Sequence, residues 1–152
     1  AEYDTYNKVM LDIETKLTDM HTLVNSANAR REQLEKLLGT LPAEEKFKAV
    51  REHGQALLQK MKAWDEDMVQ RKSKAYDDVE NFPNKFTANY LFLINQTESD
   101  IPRVNRPSAD LKQELDAQWA TLKARIDEIL GIDLPALNAL LWQAGVGAIW
   151  QK

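Results

Sequence analysis

The chain has no cysteine. That excludes disulfides, thiolate metal sites and cysteine nucleophiles, and leaves the compartment open. Glycine and proline are scarce, at five each in 152 residues. A fold built on many tight turns needs more of both, so the scarcity favours long helices. Histidine occurs twice, as His21 and His53. Di-metal bundles use a Glu-x-x-His unit, but Thr18 lies three before His21 and Val50 three before His53. No charge of one sign dominates: 24 acidic residues face 20 basic ones, for a net charge of −4. Nucleic-acid binding needs clustered Lys and Arg, and anionic membranes select a cationic helix face; the chain has neither. No apolar run approaches the ~20 residues of a membrane span. Alternating β-branched runs are missing, so no sheet is expected. Nucleophile motifs, P-loops, dinucleotide glycine patterns and EF-hand loops are missing too. The runs Asp65-Glu66-Asp67 and Asp77-Asp78-Val79-Glu80 are acidic. Consecutive residues on a helix point in different directions, so these read as solvated faces rather than a glycosidase pair. No catalytic residue, cofactor or metal ligand is expected in this chain.

What is present is heptad spacing. Hydrophobic residues make up 43% of the chain, enough for a packed core. A first helix is expected over 3–38, with Tyr6, Met10, Ile13, Leu17, Met20, Val24, Ala27, Leu34 and Leu38 on its seam. Their gaps alternate four and three except where Arg31 holds a seam position, from which it would snorkel to water. Gly39 reads as the glycine that ends this helix, and Thr40 as the N-cap of the next, with Pro42 in its first turn. The second helix is expected over 43–79, antiparallel to the first because the connector is short. Its seam is Phe47, Val50, Gly54, Leu57, Met61, Trp64, Met68, Ala75 and Val79.

Asn81-Phe82-Pro83 stops that helix, since a residue before proline leaves the α region. A third helix is expected over 84–98, with Phe86, Tyr90, Leu91, Leu93 and Ile94 on its apolar side. Pro107-Ser108 opens a fourth, with Ser108 as N-cap and Leu111, Leu115, Trp119, Leu122, Ile126 and Ile129 on the seam. Gly131 ends it. Asp133 caps a short fifth helix carrying Leu137, Leu140, Leu141 and Trp142, and Gly145 closes that one. The expected fold is all-α: an up-and-down four-helix bundle with two long antiparallel helices and a short C-terminal helix, one domain over 1–152.

Gly54 in mid-helix costs roughly 1 kcal/mol relative to alanine, and close approach of a bulky neighbour would explain it. His53 beside it reads as an interface histidine with an ordinary hydrogen bond. Trp64 and Trp119 are seam residues and belong to the core. Trp142 and Trp150 either pack as a tail over the bundle end or form a surface for a sugar or a partner.

The stretch from Phe82 onward resembles the C-terminal part of large bacterial sortilin-like proteins, BNR-repeat β-propellers often labelled glycosyl hydrolases. The residues that carry the resemblance are Phe82-Pro83-Asn84-Lys85, the helix through Tyr90 and Leu93, Asp100, Pro107-Ser108 and the heptads from Leu111 to Leu130. Asp133-Leu134-Pro135-Ala136-Leu137-Asn138 and Ala144-Gly145-Val146 complete the pattern. The loop Val104-Asn105-Arg106 departs from it by lacking small residues, and the propeller itself is not in the chain. The resemblance implies a periplasmic or extracellular parent, of which this chain is a C-terminal fragment. It implies no catalytic residue here. The start at Ala1, without a basic region or an apolar run, agrees with a fragment.

The function expected on these grounds is an accessory module that docks on its parent propeller or on another protein, a homodimer included. Two long helices outreach a third of about 14 residues, which spans only about 21 Å. Part of their seam should therefore meet another surface. The candidate surface residues are Leu34, Leu38, Phe47 and Val50 at one hairpin end and Trp142 and Trp150 in the tail; Ile13, Leu17, Met68 and Ala75 lie towards the other end. The alternative is a free-standing helical adaptor or chaperone that self-associates.

Overall fold

The computed structural model describes residues 2–69, 86–99, 101 and 103–146. Among these residues every regular element is helical and no strand occurs. The helices are α1 (Glu2–Thr40), α2 (Lys48–Met68) led by a 3₁₀ turn (Glu45–Phe47), α3 (Phe86–Glu98), α4 (Arg106–Glu128) and α5 (Leu134–Gln143). A π turn, Ile129–Asp133, joins α4 to α5 without a break. Contacts divide the chain into two compact units. Unit 1 comprises Ala1–Leu23 and Glu66–Thr121; unit 2 comprises Val24–Asp65 and Leu122–Lys152.

Unit 1 packs the first turns of α1 with α3 and most of α4. Met10, Ile13 and Met20 from α1 are buried, as are Met68, Phe86, Tyr90, Leu93, Leu115 and Trp119. Phe86 stacks on Trp119 with ring centroids 6.2 Å apart and planes 17° from parallel. On its other side it meets Tyr90, tilted by 36° at 5.9 Å. Such offset aromatic pairs add to plain area burial. Leu91 belongs to the expected apolar side of α3 but is exposed, as is Phe92 beside it. Thr97, four residues beyond Leu93, takes the inward position instead. The buried set 86, 90, 93, 97 follows the helical period strictly, which turns Leu91 outward.

Unit 2 packs the rest of α1 against α2, the π turn and α5. Val24, Ala27, Leu34, Phe47, Val50, Leu57, Met61 and Trp64 are buried with Ile126, Ile129, Leu134, Leu137 and Leu141. Trp64 donates its indole N–H to the Leu122 carbonyl at 2.8 Å. A buried indole needs such an acceptor. Gly54 is buried, and a Cβ built on it would stand 2.9 Å from Leu38 Cδ2 and 3.5 Å from Leu34 Cδ1. The mid-helix glycine is there because two leucines of α1 lie on its backbone.

Helix ends depart most from the sequence reading. Gly39 does not end α1, which runs to Thr40; Thr40 is no N-cap, because its hydroxyl donates back to the Leu37 carbonyl at 3.0 Å. Pro42 lies in the connector, and its carbonyl accepts from Arg51 Nη2. The next helix starts as a 3₁₀ turn at Glu45 and becomes α-helical at Lys48. It closes at Met68, short of the expected 79; Thr87 Oγ1 donates to the Met68 carbonyl at 2.8 Å, satisfying one of the carbonyls a helix end leaves unpaired. Ala75, Val79 and the expected stop at Asn81-Phe82-Pro83 lie outside the described residues. Ser108 is not the N-cap of α4. Asn105 is: its Oδ1 accepts from the Ser108 N–H at 2.8 Å and its carbonyl from Ala109 at 3.0 Å. Ser108 itself is buried in the first turn.

Gly131 does not end α4, and Asp133 caps nothing. The seam steps 111, 115, 119, 122, 126, 129 would reach Asp133 next in an α-helix. The wider π turn inserts one residue, so Leu134 arrives at the core position and Asp133 is carried to the side. From there Leu137 and Leu141 follow at ordinary spacing. Gly145 closes α5 as expected. Its φ is +80°, its N–H reaches the Trp142 carbonyl at 3.1 Å, and Val146 N–H reaches the Leu141 carbonyl at 2.8 Å. This pair of bonds is a Schellman motif, in which glycine carries the left-handed residue without strain.

Candidate functional site

Among the described residues of unit 1, five ionisable side chains converge. Lys112 Nζ donates to Asp12 Oδ2 and to Asp116 Oδ2, both at 2.6 Å. Lys16 Nζ lies 2.9 Å from Asp12 Oδ2 and 3.1 Å from Asp116 Oδ2. Tyr90 donates its hydroxyl to Asp116 Oδ1 at 2.7 Å. Helical spacing builds the group: Asp12 with Lys16 and Lys112 with Asp116 are both i, i+4 pairs, and Tyr90 reaches the second pair from α3.

Burial pushes the Asp116 carboxyl up, but hydrogen bonds from Lys112, Tyr90 and Lys16 outweigh it and hold the group below its ordinary value. Asp12 follows the same balance, with Lys112 and Lys16 outweighing its burial. For Lys16 burial favours the neutral amine, and the two carboxylates more than reverse that. Tyr90 is raised well above an ordinary phenol, first by burial, then by its bond to Asp116 and the charges of Asp116 and Asp12. The two cations and two anions neutralise each other, and the phenol stays protonated as a donor. Every carboxylate here is engaged by ammonium groups, so the arrangement clamps α1, α3 and α4 within unit 1 and leaves no free base to take a proton.

Unit 2 has a smaller polar set around the π turn. His53 Nε2 stands 3.3 Å from the Asp133 carbonyl, the hydrogen bond expected of an interface histidine. A carbonyl only accepts, so Nε2 carries the proton. Lys60 Nζ pairs with Asp133 Oδ2 at 3.2 Å. A shallow groove lies nearby, lined by Glu35, Leu38, Gly39, Gln55, Ala56, Leu58, Gln59 and Lys62. Lys62 crosses it to Glu35 Oε1 at 3.3 Å. Among the described residues no group of three or more His, Asp or Glu side chains is placed to hold a metal ion, and no helix is long and apolar enough to cross a membrane.

The candidate surface residues separate sharply. Leu34, Phe47 and Val50 are buried in the core of unit 2, and Leu38 is half-buried against Gly54. Trp142 is 81% exposed, so it does not pack as a tail over the bundle. Trp150 lies outside the described residues. Ile132, in the π turn before α5, is 64% exposed, and Ala136 and Ala139 between them are exposed as well. The solvent side of the π turn and α5 is therefore apolar over several turns, while Leu134, Leu137 and Leu141 hold its other side in the core. Sequence reasoning misses Ile132 because it ends the fourth helix at Gly131 and starts the fifth at Asp133, which leaves Ile132 in a connector. In unit 1, Leu91, Phe92 and Ile101 are a second exposed apolar set.

One seam assignment also moves. Arg31 is on the flank of α1, where Nε and Nη2 donate to Asn28 Oδ1 and Nη1 pairs with Glu35 Oε1 at 3.2 Å. Arg30 is the buried arginine. No protein-family model, curated protein or solved structure matches the chain.

Proposed function

We propose that this chain is a non-catalytic helical interaction module, the C-terminal accessory part of an exported sortilin-like BNR-repeat propeller protein. The observation that carries the interaction reading is Trp142, 81% exposed on the same side of α5 as exposed Ala139 and Ala136, with exposed Ile132 in the π turn before them. A large indole in water is costly unless a partner covers it, and tryptophan is enriched where partners anchor. The propeller as partner, and a periplasmic or extracellular location, rest on the resemblance of the stretch from Phe82 onward.

The same reading takes the helices as an up-and-down bundle with α1 and α2 antiparallel. Leu38 against Gly54 and Glu35 against Lys62 support it, since position falls on α1 as it rises on α2. Association between this chain and the separately expressed propeller tests the proposal. Binding that weakens at least tenfold in Trp142→Ser supports it; no binding at high micromolar concentration removes it. The second reading, a self-associating adaptor, is favoured by Leu91 and Phe92, adjacent and exposed on α3. A mass that stays monomeric in light scattering at high concentration counts against it.

A further inference from the structure

Arg30 lies on the inward stripe of α1 between Ala27 and Leu34 and is 6% exposed. Its Nε and Nη2 are both sealed from solvent, and neither meets a hydrogen-bond acceptor of the protein. These two nitrogens form one edge of the guanidinium. Their N–H bonds run parallel, and this is the edge that grips two oxygens of one anion. A guanidinium cannot shed its proton to relieve burial, as a lysine can. A charge kept in the interior with its best donors unpaired destabilises the fold.

Two of the acceptors close in sequence on α1 are engaged by other cations. Asn28 Oδ1 takes Arg31 Nε and Nη2, and Glu35 Oε1 takes both Arg31 and Lys62. Two successive arginines are thus treated in opposite ways. All three nitrogens of the outer one meet acceptors on its own helix, and the inner one keeps a two-pronged donor edge buried within unit 2 without an acceptor.

We propose that Arg30 anchors a binding site for a small oxoanion, held side-on by Nε–H and Nη2–H. The shared chemistry is two oxygens with negative charge, as in phosphate, sulfate or a short carboxylate. The ligand is small because both nitrogens are sealed. A carboxylate carried by a folded partner reaches them only by parting the helices, whereas a free ion needs only side-chain motion. The site is independent of the Trp142 surface.

The test is a titration of the whole chain with inorganic phosphate, sulfate, acetate and chloride at millimolar concentrations and constant ionic strength. The readouts are the Nε–Hε signal of Arg30 in ¹⁵N NMR and Tm. A saturable shift of that signal with an oxoanion but not chloride is expected, with a Tm rise of several degrees. A response to phosphate and sulfate alone marks a tetrahedral ligand; a response to acetate alone marks a carboxylate. Arg30→Met removes the fork, and Arg30→Lys keeps the charge without it. Both should lose the oxoanion-specific Tm rise. An unshifted Arg30 signal, or an equal Tm rise in Arg30→Met, overturns the proposal. Should Arg30→Met fail to fold, the wild-type NMR titration decides alone.

Discussion

Tyr90 donates to one oxygen of Asp116 at 2.7 Å while Lys112 takes the other at 2.6 Å. The carboxylate is thus shared between a buried phenol on α3 and an ammonium on its own helix. Tyr90→Phe keeps the ring and its contact with Phe86 but deletes the donor. A hydrogen bond to a charged acceptor contributes about 2 kcal/mol. Denaturant unfolding of Tyr90→Phe should show a loss of that order with an unchanged m-value. Stability equal to the wild type would mean that the lysines alone satisfy Asp116.

The same group sets a pH profile. The carboxyls of Asp12 and Asp116 titrate lower in the fold than in the unfolded chain, so their contribution is present above about pH 4 and is lost as pH falls through their folded values. Tyr90 and Lys16 titrate higher in the fold, so theirs is present below about pH 10 and is lost as pH rises. Tm measured across pH should hold a plateau between these limits and fall on both sides. Tyr90→Phe should flatten the alkaline fall and also soften the acid one, because the lost hydroxyl is one of the donors that hold the Asp116 carboxyl low. An alkaline limb unchanged by that substitution would assign it to other groups.

Gly54 sets two effects against each other. Alanine gains up to about 1 kcal/mol of helix propensity. Its Cβ meets Leu38 Cδ2 at 2.9 Å, but that atom ends a half-buried side chain that can turn away. Gly54→Ala should therefore stay within about 1 kcal/mol of the wild type. Gly54→Leu has no such escape and should cost about 1–3 kcal/mol through overpacking. Thermal unfolding of the two variants separates the effects, and equal stabilities would show that α1 does not bear on this position.

The π turn predicts an asymmetry between two deletions. Removing Gly131 leaves Ile129 and Leu134 four apart, the spacing of a continuous α-helix, so Leu137 and Leu141 keep their places. The loss of an exposed ion pair between Lys60 and Asp133 costs at most about 1 kcal/mol. Removing exposed Ala120 from α4 instead rotates everything after it by about 100° and turns the seam out of the core. Tm should change little in the first and collapse in the second.

The sequence disclosed its buried seam more fully than its boundaries. Phe47, Val50, Gly54, Leu57, Met61, Trp64 and Met68 are all buried, because burial follows the helical period and the period needs only apolar spacing. Helix ends depend on which side chain reaches which backbone group. Thr40, Asn105 and Ser108 are all good caps by composition, and only geometry chose Asn105. Arg30 and Arg31 differ by one residue, about 100° of helix, which periodicity could not assign once both were polar. The exposed Ile132 and Trp142 depend on a π turn whose single extra residue leaves no distinct mark in the composition.

Trp142 also gives the chain an internal optical reporter. Trp64 and Trp119 are buried, so their emission belongs to an apolar environment that a collisional quencher enters poorly. Trp142 stands in water and should emit further to the red, where iodide or acrylamide reaches it before Trp64 and Trp119. Covering of α5 by a partner would then register as a blue shift and a loss of quenching, with no label attached.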